Sequence, residues 1–284
     1  MVRTVRSMEE EARVRLVSGA GLDEALADPA LLETLEGPTV ERVIAWAADG
    51  GRRVLVVGLE DRGRIALALA KAGLFVTVVE PDESLHEPVK VAADQAKCGI
   101  RLNFYASDYM KREFASSGFD VAVFYSALSR YNEPVVVLRK AAREVRAGGR
   151  VFARVRVRPP VGGIRKVLAR FPAVEKAAAL AGARVADLAS RLPGVAAVAS
   201  LQDAAALAEE CAEVFKVETV ERRHVIAPFV AWLARRNPAA ALLLPAALRA
   251  DAAILGIPGA SAAAAYVHLW GTKELGLGRT FRVV

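Results

Sequence analysis

Between residues 53 and 157 the chain changes hydrophobic period repeatedly, and this alternation restricts its fold more than any other feature. Residues 53–58 (RVLVVG) form a continuous apolar run, as a strand buried on both faces does. Residues 64–72 (RIALALAKA) return to helical spacing, Gly73 ends that helix, and 75–79 (FVTVV) is a second buried run closed by Glu80 and Pro81. A helix over 85–97, strands over 102–105 and 121–125, a helix over 134–145 and, after Gly148 and Gly149, a strand over 151–157 continue the pattern. Repeated strand–helix units imply a parallel sheet covered by helices. The fold class is therefore α/β, doubly wound and mostly parallel.

The flanks differ. Residues 8–46 read as short helices, broken at Asp28 and Pro29, with Thr39 capping a further one that reaches Ala48. From 159 to 208 the composition shifts to Ala, Arg and Val at helical spacing, which reads as an insertion. Two last strands, 214–220 and 266–270, are separated by helices around 228–236 and 239–253. Four segments result: an N-terminal helical extension (1–50), a core (51–158), a helical insertion placed to cap a substrate (159–208) and C-terminal strands that complete the sheet (209–284).

Composition excludes several classes. With 54% hydrophobic and 25% charged residues in 284, extended disorder is ruled out. Cys98 and Cys211 lie far apart without Cys/His spacing, so neither a disulfide scaffold nor a metal site is expected, and a reducing cytoplasm fits best. Residues 1–13 alternate charges and lack the apolar stretch of a signal peptide. Residues 252–272 carry no formal charge, but Gly256, Pro258, Gly259 and many alanines mark loop plus buried strand rather than a membrane span. The net charge of +7 permits an anionic partner such as RNA but is spread along the chain. Arg far outnumbers Lys, a bias shared by heat-adapted proteins and GC-rich genomes.

Ligands of open parallel sheets collect at the carboxyl ends of strands. Those ends offer residues 58–63, 80–82, 107–109, 125–129 and 154–158. Gly58 lets the backbone leave the first strand tightly, and Gly63 lets the next helix start close to the sheet. Between them Glu60 and Asp61 oppose a pyrophosphate, so a cationic or zwitterionic ligand is expected. Glu80 could accept both hydroxyls of a ribose, and Asp108 the exocyclic amine of adenine; together they suggest an adenosine site.

This order of features resembles the class I S-adenosylmethionine-dependent methyltransferases. The residues that carry it are VLVVGLEDRGRIALALAKAG (54–73), FVTVVEPDESL (75–85), YASD (105–108), FDVAVFYSALSR (119–130) and LRKAAREVRAGGRVFARV (138–155). The resemblance implies seven strands with the last antiparallel, and S-adenosylmethionine as cofactor. It places Gly58, Leu59, Glu60 and Gly63 near the cofactor's methionine part, Glu80 and Pro81 near its ribose, Asp108 and Tyr109 near its adenine, and Tyr125 and Ser126 near the sulfonium. The chain departs from the family in having Val56 where an acid is usual and no GxGxG run, so Glu60 or Asp61 would replace that acid. YSAL (125–128) stands where methyltransferases acting on adenine or glutamine amino groups carry an Asn-Pro-Pro-aromatic motif, which disfavours those substrates.

Arg154, Arg156 and Arg158 alternate with valines, which suits either a site for a substrate's phosphate or carboxylate or a solvated, acid-paired edge. His224 is expected at the surface, His268 in the core with a backbone partner, and His86 on a helix face. Alanine-rich stretches 177–183 and 239–247 suit tight helix contacts or a homodimer surface. The leading reading is a cytoplasmic methyltransferase whose acceptor is a small molecule, with RNA second. The alternative is a catalytically silent relative that serves as a binding or assembly module.

Overall fold

Strands β1 (Arg53–Val57), β2 (Phe75–Val79), β3 (Leu102–Tyr105), β4 (Phe119–Tyr125), β5 (Val145–Arg156), β6 (Lys216–Arg223) and β7 (Tyr266–Thr272) join in the order β3-β2-β1-β4-β5-β7-β6. The first five pair in parallel, and β7 runs antiparallel between β5 and β6. This is the mostly parallel seven-stranded sheet expected from the sequence. The computed structural model describes residues 29–125, 127–156, 208–209, 211–224, 227, 238–256 and 266–274. The helical insertion expected at 159–208 lies almost wholly outside them, as do the start of the N-terminal extension and the helix expected around 228–236.

Side chains alternate across the sheet because successive strand residues point to opposite faces. Leu55 and Val57 join Ala122, Phe124, Ala153 and Leu269 in one buried layer, covered by α4 (Pro134–Glu144). Val54 and Val56 join Val123, Phe152 and Trp270 in the other, under α1 (Pro29–Gly50), α2 (Arg64–Lys71) and α3 (His86–Gln95). Both cysteines are buried and free, as packing residues would be.

One expectation fails in α1. The helix begins at Pro29, where the break was expected, but the cap at Thr39 does not divide it: it is continuous over 22 residues with Pro38 inside. Proline removes one hydrogen bond from a helix interior, but Val40, Val43 and Ala47 recur on one face and are fully buried. Their burial against the sheet outweighs the local penalty. At the other end of the chain, α5 (Leu244–Leu255) precedes β7. Among the described residues no helix is long and apolar enough to cross a membrane.

Register sets the level of the strand ends. Val57 lies opposite both Val79 and Phe124, and Val79 opposite Tyr105. The residues that follow β1, β2 and β3 therefore emerge along one edge.

Candidate active site

Gly58 leaves β1 with φ +88°, a left-handed conformation, while its amide donates to the Val79 carbonyl at 3.0 Å. A Cβ added there would stand 2.2 Å from Glu60 Oε2 and 2.9 Å from the Ala127 Cβ, so only glycine fits. Asp61 is spent locally: its two oxygens accept the Gly63 and Ile65 amides at 2.9 and 2.7 Å and so cap α2. Burial raises its carboxyl pKa against those bonds. Asp61 therefore does not stand in for the family's missing acid. Gly63 also has positive φ, and a Cβ on it would meet Val89 at 2.4 Å, so it permits the close approach of α2 and α3.

Glu80 is buried at the end of β2. Its Oε2 accepts the Leu59 amide at 3.1 Å and its Oε1 the Asp82 amide at 3.1 Å; Pro81 between them has no N–H to offer. The 3-10 turn Ala127–Arg130 follows β4 and brings Arg130 over the same carboxylate. Arg130 Nη1 donates to Oε1 at 3.1 Å and Nη2 to Oε2 at 3.0 Å, while Nε lies 3.0 Å from Glu60 Oε1. Burial works against the guanidinium charge, but Glu60 and Glu80 outweigh it and raise its pKa.

Asp108 follows β3. Its Oδ1 accepts both the Met110 amide at 3.0 Å and the Tyr131 hydroxyl at 2.9 Å, which leaves Oδ2 without a hydrogen bond among the described residues. Burial, then Asp108, drives the Tyr131 phenol pKa upward. The neighbouring Ser107 hydroxyl is buried with no partner among the described residues. The two acids thus open on one edge, and consecutive residues, Arg130 and Tyr131, reach both.

Residues 55–153 match a family described as a methyltransferase domain. Over that span the core of this chain is similar to a methyltransferase domain. The ubiquinone biosynthesis O-methyltransferase of Coxiella burnetii (strain RSA 493 / Nine Mile phase I) is 29% identical over 102 residues, 36% of this chain and 42% of that protein. The chain thus spans less than half the length of the curated relatives it matches. Among solved structures, geranyl diphosphate methyltransferase in complex with SAM is 13% identical with a TM-score of 0.52, covering 91% of this chain and 97% of that one. The [4+2]-cyclase SpnF is 19% identical with a TM-score of 0.54, covering 83% and 81%. Likeness at these identities concerns the fold, and one fold hosts more than one chemistry.

The cofactor implied by a methyltransferase domain is S-adenosylmethionine, and the residues at the strand ends suit it. A glycine with positive φ, a buried acid, an acid with one open oxygen and an orphaned hydroxyl stand side by side. The Leu59 side chain is buried and its amide is spent on Glu80, so Leu59 serves this turn by holding that carboxylate. Tyr109 likewise departs from expectation: its ring packs against Phe124 and its hydroxyl donates to Glu144 at 2.5 Å beneath α4, so only its backbone can serve the cleft. The 3-10 turn at residues 109–111 rotates the tyrosine inward. Ser126, Arg158 and the Arg156 side chain lie outside the described residues.

Next to this edge, Tyr125 of β4 is paired with Arg154 of β5, and Arg154 with His268 of β7. Arg154 is neither an anion receptor nor a solvated edge. It has no exposed surface, its Nη2 and Nε lie 2.8 and 3.1 Å from Glu36 Oε1, and its guanidinium stacks on Tyr266 at 3.7 Å. The strand does not leave the sheet at this point: β5 continues to Arg156 between β4 and β7, which keeps the Arg154 side chain under α1 beside Glu36.

His224, expected at the surface, is buried. Its Nε2 is 3.3 Å from Glu36 Oε1 and its Nδ1 3.7 Å from Asp251 Oδ2. Burial would depress its pKa, but Asp251 and Glu36 raise it. Desolvation likewise opposes the Glu36 charge, yet Arg154 and His224 hold that carboxyl far below its usual range. His268 is in the core as expected, but neither ring nitrogen has a hydrogen-bond partner among the described residues, and burial lowers its pKa to about 3. His86 sits at the start of α3 and contacts the Glu80 carbonyl at 2.9 Å. Burial, with Glu36 adding to it, pushes the Tyr125 phenol well above 10.

Sequence reasoning missed Arg130, Tyr131, Glu36 and Asp251. Arg130 lies one residue beyond the strand-end window 125–129, and widening that window would have found it. Glu36 lies on a helix before the first strand and carries no local signal.

Proposed function

We propose that this chain is an S-adenosylmethionine-dependent methyltransferase whose acceptor is a small molecule. The observation that carries it is the placement of Glu80, Asp108 and Gly58 on one edge: a two-oxygen acceptor for a ribose, an open oxygen for an adenine amine and a tight turn for the methionine part. Methyl transfer is an in-line displacement on the sulfonium, in which the protein chiefly holds donor and acceptor in line. Glu60, beside the first turn, supports an ammonium. Tyr125 ends β4 beside the place the sulfonium would take, but its side chain is buried against Arg154, so it would serve through its backbone and not as a base. A small acceptor is favoured over RNA because Arg154, one of the arginines offered to an anion, is buried and paired, and because the named proteins include a ubiquinone biosynthesis O-methyltransferase and a geranyl diphosphate methyltransferase.

Calorimetric titration of S-adenosylhomocysteine into the protein is expected to give micromolar affinity, roughly −8 kcal/mol. Glu80→Ala should abolish it. A folded protein with no heat and no thermal shift would favour the silent binding module, a reading that the Arg130–Glu80 pair keeps in view because a permanent pair would block the ribose.

A further inference from the structure

Glu80 is saturated as it stands. An ionised carboxylate offers about four lone-pair positions. Two receive the Leu59 and Asp82 amides, and two receive the parallel donors of the Arg130 fork. A ribose diol also presents two donors side by side, so it would take the two positions that Arg130 fills. Arg130 is the part of this arrangement able to move: its side chain keeps 29% exposure while that of Glu80 keeps 1%. Tyr131, one residue on, is anchored in the core and bonds to Asp108. The ribose half of the cleft is therefore closed by a side chain, and the adenine half retains Asp108 Oδ2.

We propose that Arg130 is a latch on the nucleoside site, which holds Glu60 and Glu80 together in the ligand-free protein and is displaced from Glu80 when the cofactor's ribose binds. The inference rests on the methyltransferase reading above. Its chemistry is a like-for-like exchange: without a ligand, two acids of the first and second βα turns share one guanidinium, which offsets their mutual repulsion. The arriving cofactor brings a diol for Glu80 and an ammonium for Glu60. A closed state lowers apparent affinity in proportion to its population, so a latch closed ten times as often as open weakens binding about tenfold.

The test titrates S-adenosylhomocysteine into the full chain and into Arg130→Gln and Arg130→Lys, with folding checked by circular dichroism, and follows hydrogen exchange over residues 127–131 of the wild type with and without the ligand. The expected result is about tenfold tighter binding by R130Q, a smaller gain for R130K, which keeps the charge but loses the fork, and faster exchange in the turn when ligand is bound. Binding by R130Q alone would also support the latch. Equal or weaker binding by R130Q would overturn it while leaving the methyltransferase reading intact. No binding by any folded form would sink both. Should R130Q not fold, exchange in the wild type decides: slower exchange on binding means the ligand covers an unmoved turn, and the latch is wrong.

Discussion

Arg130 and Arg154 each serve a buried glutamate near the carboxyl ends of neighbouring strands, yet the two pairs are built for different work. Arg154 is held from every side: Glu36 from α1, the rings of Tyr125 and Tyr266, and no exposed surface. Arg130 reaches Glu80 from a short turn and keeps one side toward water. Removing a buried ion from a sealed pair strands its partner in low dielectric, whereas water can replace a partner at a rim. The same chemistry thus serves as a rivet in one place and a latch in the other, and the surroundings decide which.

The largest expected effect breaks the comparison if it is absent. Arg154→Met should destabilise the protein by about 3–5 kcal/mol in chemical denaturation, the usual cost of stranding a buried charge. Arg130→Gln should cost about 1–2 kcal/mol, because the Leu59 and Asp82 amides still serve Glu80. Similar losses at both positions would mean that exposure does not distinguish the pairs.

A second measurement sharpens the rivet. The pKa of His224 is raised above 6.5 by Asp251 and Glu36, so the stability it lends is complete below 6.5 and lost as pH rises through its folded value. In chemical denaturation, His224→Gln should therefore cost more stability below pH 6.5 than above the folded pKa of His224, where its charge is lost. His268 works with the opposite sign: folded, it stays neutral down to about pH 3, so below 6.5 only the unfolded chain takes up its proton and stability falls with pH. His268→Phe should flatten that acid-side loss. The smallest effect supplies the baseline: Lys216→Ala removes a solvent-exposed pair with Glu274 and should change stability by less than about 0.5 kcal/mol.

Much of this architecture is legible in the chain. Apolar runs at 53–58, 75–79 and 121–125 mark strands buried on both faces, and the strands lie within a residue or two of the expected positions because such runs can be buried only in a covered sheet. Glu80 and Asp108 were findable for the same reason: strand ends carry the residues that leave the core. Tyr109 and Arg154 were misjudged because the direction of a side chain depends on the turn or strand that continues past it. A 3-10 turn sends Tyr109 under α4, and β5 runs on far enough to bury Arg154. Pro38 shows the converse, a local helix breaker overruled by packing.

The sequence alone determined the alternation of strands and helices, the acids at the ends of β2 and β3 and the glycine after β1, since each follows from spacing within a few residues. Only the tertiary structure decided which charges meet. Glu80 and Arg130 are 50 positions apart, and Glu36 and Arg154 are 118 apart. The order β3-β2-β1-β4-β5-β7-β6 brings them together, because a hydrophobic period specifies which face a residue takes, while the partner across that face depends on how the whole sheet is assembled.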